Sequence, residues 1–278
     1  MTLPPALTRN QIKHLRSLCK KKHRHEQRQF LVEGETIVSE ILSSATPDLR
    51  YLVCTTDYFD SQTTAWREAI ADRIYCCDTQ TIASISSLDT PTGVLALLDM
   101  PLASEVSEGI DHAIAPLSTG LNLYLDGLHD PGNLGTIWRI ADWFGVKQLF
   151  LSLDCVDLYN PKTIQASMGA FLRVGGHRCP LASLRSEHPE LAILGTCIGS
   201  GANGLTYHWS HNTLLVIGSE SHGVRAESHN ILNGWLSIPR GPHSVGAESL
   251  NAAVATGILC ASYLRAFSQA SGQNKWRV

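Results

Sequence analysis

The chain has 278 residues, 44% of them hydrophobic and 17% charged, with a formal net charge of −3 at pH 7. That balance excludes an intrinsically disordered protein, and the length suits two domains of ordinary size, each with its own core. No run is apolar for long enough to cross a bilayer and the N-terminus lacks the apolar centre of a secretory signal, so the expected location is the cytoplasm.

In chain order, the first expected element is a basic amphipathic helix. Ile12, Leu15 and Leu18 recur at helical spacing after Thr8, a residue suited to cap the helix. Charge is concentrated here. Arg9, Lys13, Arg16, Lys20, Lys21, Lys22, Arg24 and Arg28 stand against a single acid, Glu26, so this stretch carries +7 and the rest of the chain −10. A polyanion would engage such a patch, because each neutralised phosphate releases a counterion. A solvated helix face is the other reading of the same run, and charge alone does not choose between them.

"QFLVEG" then reads as a strand ending in a glycine turn, and "ETIVSEIL" as a helix with Ile37, Val38, Ile41 and Leu42 on one face. "LRYLVCT", the segment around Trp66, "RIYCC", "TQTIASISSL" and "GVLALLD" continue the alternation to Asp99, giving a small α/β domain over residues 1–100. Residues 101–120, with Pro101, Gly109, Pro116 and Gly120, lose all periodicity and read as an interdomain linker. The eight cysteines lack zinc-ligand spacing; they are expected as reduced thiols, and no metal site is expected.

The second domain, 121–278, opens with the strand "LNLYLD", the turn "GLHDPGN" and a helix from about Leu134 to Phe144. "KQLFLS", "LAILGTC", "TLLVIGSE" and "GWLSIP" read as further strands, and a long apolar helix runs from Ser249 to about Phe267 before a frayed tail. Strands separated by helices imply a mainly parallel sheet, whose ligands bind beyond the carboxyl ends of the strands.

Three glycine-rich turns follow strands of this sheet. The first is Asp130 to Gly135, leading into a helix that carries Arg139. Asn133 there reads most simply as the N-cap and Arg139 as a surface ion-pair partner, although less than two turns separate them and one cleft is able to receive both. In the second, Ile217 to Gly223, an apolar strand runs into small residues and one acid, Glu220, where glycines permit close backbone approach. The third, "IPRGPHSVGAESLN" from Ile238, ends on a helix-start signal at Glu248 and Ser249. With no GxGxxG after the first strand and no GxxxxGK[ST], dinucleotide and P-loop readings lose their best support.

The runs "LDGLHDPGNLGTIWRIADWFG", "VIGSESHGV" and "IPRGPHSVGAESLNAAVATGI", in that order, closely resemble the three motifs of the SpoU/TrmH RNA ribose 2′-O-methyltransferases, over about Leu121 to Phe267. "IKHLRSLCKKKHRHEQRQFLVEG" and "TPTGVLAL" are similar to the substrate-binding domain attached to many members. The resemblance implies an α/β C-terminal domain, mainly parallel and tied in a trefoil knot, preceded by a smaller α/β RNA-binding domain. It also implies a homodimer formed through the knotted domain, with the active site at the subunit interface. Periodicity cannot show a knot, so that expectation rests wholly on the likeness. S-adenosyl-L-methionine is the implied cofactor, held at Thr196, Ile217, Gly218, Gly223, Ile238, Ser249, Leu250 and Asn251. Asn133, Arg139, Glu220, Ser249 and Asn251 map onto the family's functional positions, and the implied substrate is RNA, ribosomal in preference to transfer RNA. Two alternatives stand beside this reading: an RNA-binding protein of the same fold without catalysis, and an unrelated α/β enzyme acting on a nucleotide.

Methyl transfer to a hydroxyl needs alignment and a means of easing the proton from the ribose oxygen. An arginine keeps its proton, with a pKa above about 12. Arg139 is therefore expected to act electrostatically, clamping a phosphate and the nascent alkoxide while an ion pair to Glu220 orients it and Asn133 and Ser249 position the ribose. The third motif departs from the family: Arg240 stands where methionine is usual, and the loop is longer by about three residues. Arg240 and His243 read as RNA contacts or as solvated side chains, and His222 as a packing or surface residue.

Overall fold

The computed structural model describes residues 3–44, 48–101 and 117–270, the side chains of 268–270 excepted. The chain divides into two compact units, Met1–Leu102 with Asp157–Leu172, and Ala103–Val156 with Arg173–Val278. The excursion at 157–172 has no counterpart in the boundaries expected from composition. Most of the expected linker, 102–116, and the tail beyond 270 lie outside the described residues.

The first unit begins with helix α1 (Arg9–Ser17). Its cap is the one expected: the Thr8 hydroxyl accepts from the Gln11 amide at 3.3 Å, and the Gln11 side chain accepts from the Thr8 amide at 2.9 Å. The basic run does not form one helix. A second, α2 (Lys21–Gln27), follows a break and closes on Arg28, which adopts a left-handed φ of 52°.

Arg24, expected in the surface patch, is buried at 2% exposure. Its Nε and Nη2 donate to Asp157 Oδ2 at 3.0 and 2.5 Å, and its Nη1 donates to the carbonyls of Leu18 and Cys19 at 2.8 Å each. A guanidinium leaves water only where its charge is met and its donors are used, and Asp157 with the carbonyls that end α1 does both. Arg24 is thus a structural ion-pair partner and not part of the exposed basic patch.

The chain continues through β1 (Gln29–Glu33), α3 (Glu35–Ser43), β2 (Leu49–Thr55), α4 (Thr56–Ser61), α5 (Thr64–Ala69), β3 (Ile74–Cys77), α6 (Thr79–Ile85) and β4 (Val94–Asp99). The strands form a sheet of order β1-β4-β2-β3, antiparallel except for β2 and β3. Leu15 and Leu18 from the first helix and Ile82 and Ile85 of α6 pack on one face, over Leu31, Val53, Leu95 and Leu97. Each leucine so buried contributes about 1.5–3 kcal/mol of transfer free energy. Phe30 and Val32 alternate with Leu31 and so face the other way. There Phe30 meets Tyr159 and Phe171 of the excursion, with ring centroids 4.6 and 5.9 Å away.

The second unit contains β5 (Leu121–Asp126), α7 (Pro131–Trp143) and β6 (Gln148–Leu151). The chain then makes its excursion, which holds α8 (Pro161–Ser167). It returns through β7 (Gly175–Arg178), α9 (Leu181–Glu187), β8 (Ala192–Thr196), β9 (Ala202–Asn203), β10 (Thr213–Gly218), α10 (Ala226–His229), β11 (Gly234–Ser237) and α11 (Ala252–Ala270). All seven strands pair in parallel, in the order β7-β6-β5-β10-β8-β11-β9. β5 and β10, adjacent at the centre, are buried at every residue, as a parallel sheet covered on both faces requires. After β7 the chain crosses back to the far side of β10, so the order of travel reverses between β5 and β10. The carboxyl ends of β5, β10, β8 and β11 stand side by side at that reversal, where open α/β sheets bind their ligands. α7 packs against α11, and a Cβ added at Gly257 would stand 3.6 Å from Ile140, which shows how closely the helices approach.

Candidate active site

The first motif follows β5. Its N-cap is Asp130 and not Asn133: Asp130 Oδ1 accepts from the Asn133 amide at 2.7 Å, with Pro131 opening α7. That arrangement leaves the Asn133 side chain free for other work. At the third motif the helix start expected at Glu248 and Ser249 lies later, at Asn251, whose Oδ1 accepts from the amides of Ala253 and Val254 at 2.9 and 3.2 Å.

These two caps fix the polarity of a side-chain chain across all three motifs. Because the Asn251 oxygen is occupied at its helix, its Nδ2 points outward and donates to Asn133 Oδ1 at 2.8 Å. Asn133 in turn donates from Nδ2 to Glu220 Oε1. A carboxylate accepts only, so the amide of Asn133 must present its nitrogen to Glu220 and its oxygen to Asn251. Asn133, Glu220 and Asn251, up to 118 residues apart in the chain, meet in one file.

The loop after β10 is shaped by its glycines. A methyl at Gly218 would lie 2.0 Å from the backbone of Gly223, and Gly223 holds φ at 67°. Main-chain hydrogen bonds between Ser219 and Gly223 close this turn at 3.1 and 2.9 Å. Sequence reasoning missed its anchor. Asp126, fully buried at the end of β5, accepts from the Arg225 amide at 3.0 Å, from Arg225 Nε at 2.7 Å and from Ser228 Oγ at 3.0 Å. Burial alone would lower the Arg225 pKa, but hydrogen bonds and charge from Asp126, with Asp154 and Glu227, raise it on balance. The signal available was a lone acid ending the strand "LNLYLD".

Beyond β8, β10 and β11 lies a cavity of about 990 Å³. Ile217, Ile238, Leu250 and Leu259 supply apolar wall, Gly218 and Gly223 supply backbone, and Glu220 and Glu248 supply negative charge. Thr196 lines it too, its hydroxyl donating to the Val216 carbonyl at 3.1 Å. Of the eight residues expected to hold a cofactor, seven line this cavity: Thr196, Ile217, Gly218, Gly223, Ile238, Ser249 and Leu250. Asn251 is instead in the side-chain file described above.

Arg139 stands apart from this assembly. It is exposed, does not line the cavity, and makes no hydrogen bond or ion pair among the described residues. The expected pair with Glu220 is not formed, since that carboxylate bonds Asn133. Helical positions six apart differ by about 120° around the axis, so α7 turns Arg139 away from Asn133. It shares an exposed stripe with Thr136 and Trp143, the last 84% exposed. In the first unit, Arg9, Lys13, Arg16, Lys20, Lys21 and Lys22 are exposed and Arg28 is half-buried, donating to the Pro101 carbonyl at 3.1 Å.

The sequence profile of the SpoU rRNA methylase family matches residues 120–261. The chain belongs to that family. A profile of the MRM3-like substrate binding domain matches residues 9–96 of this SpoU-family chain. The 23S rRNA (guanosine(2553)-2′-O)-methyltransferase RlmP of Bacillus subtilis is 29% identical to it, over 89% of this chain and 93% of RlmP. A TrmH-family protein from Porphyromonas gingivalis, 34% identical, superposes with a TM-score of 0.77 over 92% of this chain and 98% of its own. An AdoMet-bound rRNA methyltransferase from Sinorhizobium meliloti, 25% identical, gives 0.77 over 95% and 97%. The fold expected from the motifs, an α/β protein with a mainly parallel sheet behind a smaller N-terminal domain, is the fold of this SpoU methylase.

Proposed function

We propose that this protein transfers a methyl group from S-adenosyl-L-methionine to a ribose 2′-hydroxyl of ribosomal RNA. The observation that carries the reading is the hydrogen-bonded file Asn251–Asn133–Glu220, which ends at a side chain lining the cavity beyond the parallel strands. The cavity fits the cofactor in kind: apolar walls for a purine, exposed backbone for its polar edge, and two carboxylates for its cationic groups. When bound, the cofactor supplies an activated methyl on a sulfonium.

Thr196, Ile217, Gly218, Gly223, Ile238, Ser249 and Leu250 are assigned to holding it, and Asn251, which does not line the cavity, to orienting Asn133. Asn133 and Ser249 are assigned to the ribose, with Glu220 fixing the amide of Asn133 in place of the guanidinium it was expected to orient. Arg139, its donors unspent, is assigned to negative charge on the RNA phosphate and the developing alkoxide. The reading calls on no metal, and among the described residues no cluster of His, Cys, Asp or Glu is placed to hold one.

It extends to a homodimer through the C-terminal domain, with a trefoil knot there, supported by family likeness and by the exposed Arg139 and Trp143 on α7. Domains at 1–100 and 121–278 are supported by the two profile matches. A cytoplasmic location is supported by the RNA substrate; among the described residues no helix is long and apolar enough to cross a membrane.

Incubating the protein with ribosomal RNA and methyl-labelled cofactor is expected to place the label in 2′-O-methyl nucleosides. Label on bases, or none, overturns the proposal. The exposed cations of the first unit are assigned to the RNA backbone. Reversing Lys20, Lys21 and Lys22 to glutamate is expected to weaken RNA binding and to flatten the log–log salt dependence by about 0.9 for each phosphate that is no longer neutralised. Unchanged turnover and salt slope would instead favour an enzyme acting on a small nucleotide.

A further inference from the structure

The third-motif loop carries a cation that the cofactor and ribose assignments leave without a role. Arg240 follows Ile238 and Pro239 at the end of β11 and is the one arginine or lysine among the described residues lining the cavity. Its Nη2 donates to the main-chain oxygen of Glu248, which ties the two ends of loop 241–247 together and seats the guanidinium at the rim. Nε and Nη1 have no acceptor among the described residues. An arginine has five donors in a rigid plane, so a single bond to a carbonyl leaves one edge free for a second, planar acceptor.

Charge identifies that acceptor. Histidines apart, the ionic side chains on the wall are Glu220, Glu248 and Arg240, a net charge of one negative. S-adenosylmethionine carries a sulfonium and an ammonium against one carboxylate, a net charge of one positive. Its cationic groups find two acids here. Its carboxylate would be repelled by both of them, and Arg240 is the cation within the same wall able to receive it. His222 is already engaged with Ser221 Oγ at 2.7 Å, and His229 with the Val224 carbonyl at 3.1 Å.

We propose that Arg240 is a specificity-determining residue of the cofactor site and recognises the α-carboxylate of the methionyl group. This rests on the cofactor reading above, which the experiment tests separately. Calorimetric titration of the full chain and of Arg240→Met uses four ligands: S-adenosylmethionine, S-adenosylhomocysteine, decarboxylated S-adenosylmethionine and 5′-methylthioadenosine. Arg240→Met is expected to weaken the two carboxylate-bearing ligands on the order of tenfold and to leave the other two within about twofold. Because Arg240 is exposed, the variant is expected to melt with the parent.

An equal loss for all four ligands overturns the proposal in favour of a residue that merely shapes the loop. Unchanged cofactor binding with weakened RNA binding overturns it in favour of a phosphate contact. If the parent binds none of the four, the cofactor reading itself falls.

Discussion

Replacing Arg139 with alanine is expected to lower the methylation rate by about 10²- to 10³-fold, the range seen when one preorganised electrostatic donor is removed from an active site. Affinity for S-adenosylmethionine should stay within about twofold, because Arg139 does not line the cavity and bonds nothing that does. The loss should fall on kcat, since the guanidinium is asked to stabilise charge that develops only as the ribose oxygen gives up its proton. Arg139→Lys should recover part of the rate: it keeps the charge but loses the fork that bridges two oxygens. Single-turnover methylation of ribosomal RNA with saturating cofactor measures the effect. A variant retaining more than about a tenth of the rate would remove Arg139 from the chemistry.

The exposure of Arg139 is informative in that setting. Its helix neighbour Asn133 is committed to Glu220 and Asn251, while Arg139 shares its outward stripe with Thr136 and an almost fully exposed Trp143. The guanidinium and the indole both lie open on that stripe, where the proposed RNA substrate or the proposed second copy of the chain would cover them.

Patterns that act over a few residues were readable in the sequence. Thr8 caps the first helix as expected, "QFLVEG" forms a strand, and the three motifs gather because each follows a strand of one parallel sheet. Choices between equivalent local donors were not readable. Asp130 and Asn133 both suit an N-cap, and the proline after Asp130 was the available signal in its favour. Ser249 and Asn251 both suit the start of α11, and only the path of the loop decides for Asn251. β7 escaped notice because "GGHR" offers no apolar period; it is an edge strand held by main-chain pairing to β6. The partner of Arg24 lies 133 residues away, and no local rule reaches that far.

That burial yields the second large effect. Arg24→Ala is expected to destabilise the first unit by about 3–5 kcal/mol, the usual cost of removing one member of a buried ion pair. The substitution removes both donors from Asp157 Oδ2, leaving that carboxylate, itself 5% exposed, with the His25 ring and the Tyr159 amide at 3.3 Å each on Oδ1, and it withdraws the donor from the Leu18 and Cys19 carbonyls. Asp157→Ala should cost about as much, by leaving a guanidinium uncompensated, whereas Arg24→Met with Asp157→Leu should recover most of the loss because neither charge is then buried alone. Two units need not unfold together, so the effect should be read by hydrogen exchange at the amides of β1 and α2 and not from a single melting transition. The same variants separate fold from binding. Losing Arg24 should reduce RNA affinity only as far as it unfolds the unit and should leave the salt slope of the folded fraction unchanged, unlike reversal of the exposed lysines. A reduced salt slope at full stability would return Arg24 to the surface set and overturn its structural role.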